Sequence, residues 1–129
     1  MIIDTDYLVI GTGLAGMHAA LTLAEHGKVL LLTKRQTHDS NTAYAQGGIA
    51  SVTAADDSFD AHINDTINAG DGLCDPQAVQ SIIEDGPAAI ERLVHSGVNF
   101  DRRENQFHLT REGGHHASRI LHTQDLTGR

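Results

Sequence analysis

The first 33 residues constrain the fold more than any other stretch of the chain. Tyr7–Ile10 is a short apolar run that stops at Gly11, as expected of a strand buried on both faces of a parallel sheet. Leu14, Met17, Leu21 and Ala24 then recur at helical spacing, and Gly27 stands where a helix C-cap is expected. A second apolar run covers residues 29–33. Strand, glycine turn, helix and strand make a βαβ unit of about thirty residues, for which a right-handed crossover is the rule.

The turn between the first strand and the helix reads Gly11-Thr12-Gly13-Leu14-Ala15-Gly16, the spacing of a dinucleotide-binding fingerprint. The first glycine permits the tight turn, the second lets the backbone approach a pyrophosphate, and the third lets helix and strand pack closely. The unpaired N–H groups and positive end of the helix then hold the phosphate charge. Tight packing of small residues at an ordinary strand–helix turn is the competing account. An acidic residue usually closes the second strand to hold the ribose hydroxyls; here Lys34 stands there, a cation suited to an extra ribose phosphate. The motif alone therefore leaves NADP open beside FAD. The expected fold class is α/β, a Rossmann-like FAD/NAD(P)-binding fold with a parallel sheet and flanking helices, incomplete in these residues.

Residues 34–58 are polar and carry the adjacent Gly47 and Gly48, which predicts a long functional loop that approaches something with its backbone. Ser58 or Asp57 can cap a helix running to Ala69. Asp75, and Asp85 with Pro87, each show the N-cap and early-proline pattern of a helix start. Val79, Ile82 and Ile83, then Ile90, Leu93 and Val94, form apolar stripes expected in a core. Beyond Val98 the chain is polar, and Phe107 and Leu109 around His108 suggest a short strand.

Composition closes off several functions. A net charge of -8 disfavours a basic track along nucleic acid. Cys74 is the sole cysteine, so no internal disulfide forms, and it reads as a packing thiol in a reducing compartment. No window approaches the ~20 apolar residues of a membrane span, and Asp4 and Asp6 stand where a signal peptide is basic, which points to the cytoplasm. His108, His115, His116 and His122 are expected as surface histidines, and Asp60, His62, Asp65 and Asp71 as a solvated helical face, so no metal site is expected.

The segments Asn41-Thr42-Ala43-Tyr44-Ala45-Gln46-Gly47-Gly48-Ile49-Ala50, Ala69-Gly70-Asp71-Gly72-Leu73-Cys74-Asp75 and Leu109-Thr110-Arg111-Glu112-Gly113-Gly114-His115 together resemble the L-aspartate oxidase family. So do Arg119-Ile120-Leu121-His122 and Asp125-Leu126-Thr127-Gly128-Arg129. The resemblance runs from the glycine turn to the last residue. It implies that residues 1–129 are the N-terminal portion of one FAD-binding domain, without the rest of that domain, the capping domain or a C-terminal helical domain. The same superfamily holds the flavin subunits of succinate dehydrogenase and fumarate reductase, in which a histidine before Ala-Gln-Gly-Gly bonds covalently to the flavin. Asn41 stands at that position, so the resemblance implies noncovalent FAD. It further implies that Gly11, Thr12, Gly13, Leu14, Ala15 and Gly16 line the pyrophosphate and Lys34 the adenosine side. Asn41, Thr42, Ala43, Tyr44, Ala45, Gln46, Gly47 and Gly48 would form the loop near the flavin.

Glu112 is the implied partner of the substrate's α-amino group, which succinate lacks; a buried ammonium needs a paired anion. From the residues alone, Glu112 beside Arg111 and before Gly113-Gly114 reads equally as a turn carboxylate or a surface ion pair. Likewise Tyr44 could pack, and Asn41, Thr42 and Gln46 could serve their own loop. The implied activity is FAD-dependent oxidation of L-aspartate to iminoaspartate, with electrons passing to oxygen or fumarate, as the first step of NAD biosynthesis and with quinolinate synthase as consumer. The family's remaining substrate-binding arginines and histidines would lie beyond Arg129. Residues 1–129 alone are therefore expected to be inactive and to bind FAD weakly at most. The alternatives are a fumarate reductase-like flavoprotein acting on dicarboxylates, and a non-catalytic fragment that assembles through exposed apolar surface.

Overall fold

A computed structural model of the chain describes residues 2–45 and 47–124. The expectation for Gln46 and the motif at Asp125, Leu126, Thr127, Gly128 and Arg129 lie outside the described residues. The chain divides into two compact units, with the boundary at residues 46 and 47.

The first unit is the expected βαβ segment. Strand β1 (Tyr7–Ile10) pairs in parallel with β2 (Val29–Leu32), in the register Tyr7↔Val29 through Ile10↔Leu32. Helix α1 (Leu14–Ala24) makes the crossover. Val9 faces the helix, with its Cγ1 3.7 Å from where a Cβ on Gly16 would stand. Leu8 and Ile10 point the other way by strand alternation and are exposed, as are Leu14, Met17 and Leu21 on α1. Gly27 is not the C-cap: α1 ends at Ala24 with Glu25 in that role. Gly27 is small because the Asp6 carboxylate lies against it, 2.7 Å from a would-be Cβ, while accepting the Lys28 N–H at 2.8 Å.

The second unit is built differently. Strands β3 (Ile49–Ala50), β6 (Leu109–Thr110) and β7 (Ile120–Leu121) form an antiparallel sheet in the order β3-β7-β6. The short β4 (Arg102–Arg103) and β5 (Gln106–Phe107) make a hairpin whose turn residues Glu104 and Asn105 have φ of 54° and 68°. Asparagine tolerates this left-handed conformation and favours such a turn. Helix α2 (Phe59–Ala69) is capped by Ser58, whose side chain accepts from the Ala61 N–H. Helix α3 (Pro76–His95) is capped by Asp75, which accepts from Gln77 and Ala78. Ile90, Phe100 and Leu121 are the buried centre, with Ile49, Leu93, Val94, Val98, Phe107 and Leu109 packed against them.

Asp85 to Pro87 does not start a second helix; α3 runs through Pro87 for 20 residues. Gly86 is there for close approach, since a Cβ would stand 3.1 Å from Ser51 Oγ just beyond β3. Proline after it removes one helical hydrogen bond, which the packed length of α3 tolerates.

Candidate functional site

In the first unit the glycine turn has the geometry its spacing predicts. The Gly11 N–H donates to Leu32 O at 2.8 Å, which continues the parallel pairing, and its φ of +108° is open to glycine and strained for other residues. A Cβ on Gly16 would collide with the Gly11 carbonyl oxygen, so only glycine lets α1 sit this close to the end of β1. Gly13 is the N-cap of α1 and supplies no side-chain cap. The first N–H groups of a helix have no acceptor within it; here the Leu14 N–H donates to Thr42 Oγ1 at 3.1 Å. The fold thus brings Thr42 to the N-terminus of α1. Thr12 is buried, its hydroxyl 3.4 Å from that of Thr33.

These residues fit a pyrophosphate: the backbone at Gly11 and Gly13 is uncrowded, with nothing nearer to a would-be Cβ than Thr42 Oγ1 at 3.5 Å, at the positive end of a helix. Lys34 follows β2 and lines a shallow, open depression with Arg35, Gln36, Thr37 and Asp39. Residues 40–45 partly serve their own turn, with Ala43 N–H donating to Ser40 Oγ and Ala45 N–H to Thr42 O. Tyr44 is largely exposed rather than packed, and its hydroxyl meets Asp39 Oδ1 at 2.7 Å.

The second unit holds Gly47, Gly48 and Glu112. A Cβ on Gly48 would strike Ile120 Cγ2 and the Leu121 carbonyl, and would stand 2.9 Å from His122 Cε1. His122 Nε2 is 2.7 Å from Thr110 Oγ1 and 3.8 Å from Glu112 Oε1. Glu112 is about half exposed (53%) and His122 less so (20%). A half-open carboxylate and a glycine backbone, from beside the two outer strands, therefore meet at the imidazole that follows the central strand β7.

The second unit also holds a buried cluster around Arg119 that the sequence does not announce. Arg119 is wholly buried. Its guanidinium donates twice to Asp57, at 2.8 and 2.7 Å, and once to Asp65 at 2.7 Å, and lies 3.3 Å from His115 Nδ1. The Asp65 carboxylate also accepts the His116 N–H at 2.9 Å and contacts His116 Nδ1. The main chain of Arg119 bonds to both neighbours, its N–H to Thr110 O and its O to Ser51 N–H. His62 packs against His115 with ring centroids 5.7 Å apart, and its buried Nδ1 has no hydrogen-bond partner among the described residues. His62 and Asp65 are thus buried, not the solvated face expected: they lie three residues apart on α2 and turn inward because Arg119 supplies the compensating charge. A signal was available in Arg119 itself, placed directly before the apolar pair of β7. Among the described residues no metal-holding group of His, Cys, Asp and Glu occurs.

The electrostatics follow from burial and pairing. For Asp65 the His116 N–H is the main influence, and with Arg119 and the His116 ring it overcomes burial and holds the carboxyl well below the ordinary range. Burial opposes ionisation of Asp57, but the hydrogen bonds from Arg119 and Ser58 and the Arg119 charge prevail and lower its pKa. Arg119 is held charged in the same way, burial being outweighed by its two aspartates. Burial lowers the pKa of His62, reinforced by Arg119 and His115 against the opposing aspartates.

Each depressed value makes stability fall on the acid side. The contribution of His62 is complete above its ordinary pKa of 6.5 and is lost as the pH drops through its lower folded value. Those of Asp57 and Asp65 are complete above 3.8 and lost further down. The urea midpoint of the wild-type chain, relative to His62→Phe, is expected to fall as the pH is lowered below 6.5. A difference between the two that stays constant from pH 7 to pH 4 would contradict this.

Residues 6–129 match the FAD binding domain model, and the chain belongs to that family of flavoproteins, with FAD as its cofactor. Curated relatives at 45–50% identity are L-aspartate oxidases: it is 50% identical to L-aspartate oxidase 1 of Ralstonia nicotianae over 95% of this chain and 24% of that one. It is 45% identical to the chloroplastic L-aspartate oxidase of Oryza sativa, over 96% of this chain and 19% of that one. The chain therefore spans about a fifth to a quarter of these relatives' length. Among solved structures it is similar to E. coli quinol fumarate reductase FrdA, with a TM-score of 0.90 and 32% identity over 98% of this chain and 22% of that one. It is also similar to the apo Mycobacterium smegmatis Sdh1 complex, with a TM-score of 0.88 and 29% identity over 96% and 22%.

Proposed function

We propose that this chain is the FAD-binding N-terminal part of an L-aspartate oxidase, which oxidises L-aspartate to iminoaspartate with oxygen or fumarate as electron acceptor. The observation that carries the reading is Glu112, a half-open carboxylate beside His122 and the Gly48 backbone, on a chain whose curated relatives are L-aspartate oxidases. FAD supplies the electron-accepting ring when bound. Gly11, Thr12, Gly13, Leu14, Ala15 and Gly16 hold the pyrophosphate, with Lys34 toward the adenosine. By the family resemblance, Asn41, Thr42, Ala43, Tyr44, Ala45, Gly47 and Gly48 would lie nearer the flavin. Asn41 has no imidazole to form a covalent link, so the flavin is released on acid precipitation. The βαβ unit of residues 7–32 is the start of a larger parallel sheet, completed by sequence outside this chain.

Glu112 pairs with the substrate ammonium, a contact that a dicarboxylate without an amine cannot make. The product enters NAD biosynthesis in the cytoplasm through quinolinate synthase. Residues 1–129 alone release no hydrogen peroxide from aspartate. Among the described residues, no helix is long and apolar enough to cross a membrane.

The test is anaerobic reduction of the flavin in the full-length protein. L-aspartate is expected to bleach it and succinate is not, and Glu112→Gln should lower kcat/KM for aspartate about 100-fold. The likeness to fumarate reductase supports a second reading, action on dicarboxylates. Equal reduction by succinate, with Glu112→Gln without effect, would establish that reading instead.

A further inference from the structure

We infer that His122 is a positioning residue for Glu112, and that Thr110, His122 and Glu112 act as one unit that sets affinity for an amine-bearing substrate. The inference rests on Glu112 receiving the substrate's ammonium, and extends it to residues given no role above. The imidazole is held at Nε2, which is 2.7 Å from Thr110 Oγ1, and its Cε1 occupies space that a Cβ on Gly48 would enter, to within 2.9 Å; the main chain of His122 is anchored separately, its carbonyl accepting the Asp101 N–H at 2.8 Å. Asp101 is tied in further, accepting the Gln124 N–H through its carboxylate at 3.1 Å and the His108 N–H through its carbonyl at 2.8 Å.

Glu112, by contrast, sits on the turn between β6 and β7, and its side chain is half exposed. An unsupported carboxylate on such a turn samples several rotamers, and each must be given up when an ammonium binds. The Nε2 atom 3.8 Å from Glu112 Oε1 is the fixed polar group beside it and narrows that choice before substrate arrives. Nε2 can serve only one partner at a time. With Thr110 as its hydrogen-bond partner at rest, the carboxylate keeps its lone pairs for the incoming cation. His122 thereby orients Glu112 without competing with the substrate for it.

The experiment is a double-mutant cycle in the full-length flavoprotein, read as KM and kcat for L-aspartate. His122→Phe is expected to raise KM about tenfold with kcat changed less than about twofold, because orientation of the ammonium is lost and the reacting centre is untouched. His122→Gln, which restores a polar group near the same place, should recover part of the KM. On a Glu112→Gln background, His122→Phe should add nothing, since its effect passes through that carboxylate. A His122→Phe effect that multiplies with that of Glu112→Gln would show a merely structural role and overturn the inference. So would an unchanged KM in His122→Phe while Glu112→Gln raises it. If Glu112→Gln leaves KM unchanged, the substrate reading of Glu112 fails first and takes the inference with it.

Discussion

Replacing Arg119 by methionine is expected to destabilise the second unit by about 3–5 kcal/mol, the usual consequence of removing one partner from a buried ionic group. Asp57 is held ionised chiefly by this guanidinium, and Asp65 by it together with the His116 N–H, through Arg119 hydrogen bonds of 2.7–2.8 Å. Methionine fills similar volume and leaves two carboxylates without their cation. That loss rivals the whole stability of a small domain, about 5–15 kcal/mol. Urea unfolding followed by circular dichroism should show the midpoint collapse at pH 7 and partly recover toward pH 3, where the orphaned acids take up protons. Adding Asp57→Asn and Asp65→Asn to Arg119→Met should recover stability at neutral pH by removing the stranded charge. An Arg119→Met chain that unfolds at the wild-type urea concentration would mean that the cluster holds nothing together.

The second large effect concerns the glycine turn, where two substitutions separate packing from ligand binding. In Gly16→Ala the new methyl meets the Gly11 carbonyl oxygen, so α1 must move away from β1, at a cost of about 1–3 kcal/mol. The amides at the head of α1 move with it, and FAD affinity of the full-length protein is expected to fall about 10–100-fold. Gly13→Ala is different. Its φ of -71° suits alanine, and a Cβ there meets only Thr42 Oγ1, at an ordinary 3.5 Å. The chain should fold as before, while the methyl stands where the pyrophosphate approaches, so flavin binding alone suffers. Fluorescence titration with FAD beside thermal unfolding reads both. Gly13→Ala with unchanged flavin affinity would mean that the turn is small only for packing.

How much of this was legible in the sequence depended on whether a residue answers to its neighbours in the chain or to distant ones. The βαβ unit was readable because apolar runs, helical spacing and a glycine turn are local patterns, and β1, α1 and β2 fall where those patterns put them. Capping was readable for the same reason: Ser58 and Asp75 bond to N–H groups two or three residues away. Local reading failed where a distant partner decides. Asp85-Gly86-Pro87 has every sign of a helix start, yet the helix continues, because Gly86 is set by Ser51 across the fold. His62 and Asp65 look like a wet helical face until Arg119, more than fifty positions on, is brought beside them. The strand suggested by Phe107 and Leu109 is in fact two, β5 and β6 in different sheets, and β3 and β7 give no signal because strands two residues long are too short to show alternation. At the candidate substrate site, Glu112 is singled out only by family motifs, whereas the local sequence around His122 reads as surface because its neighbour Gly48 lies more than seventy positions away.

The spacing of the Arg119 cluster along the chain also bears on the order in which the molecule takes shape. Asp57 and Asp65 precede their cation by 62 and 54 residues. A ribosome delivers the amino-terminal side first, so α2 emerges several seconds before the residue that lets its inward face leave water, at about 5–20 residues per second. During that interval the two carboxylates favour hydration over burial. Closure of the second unit thus waits for the arginine to arrive, while the βαβ segment, whose pairing partners are about twenty residues apart, can form as soon as it is synthesised.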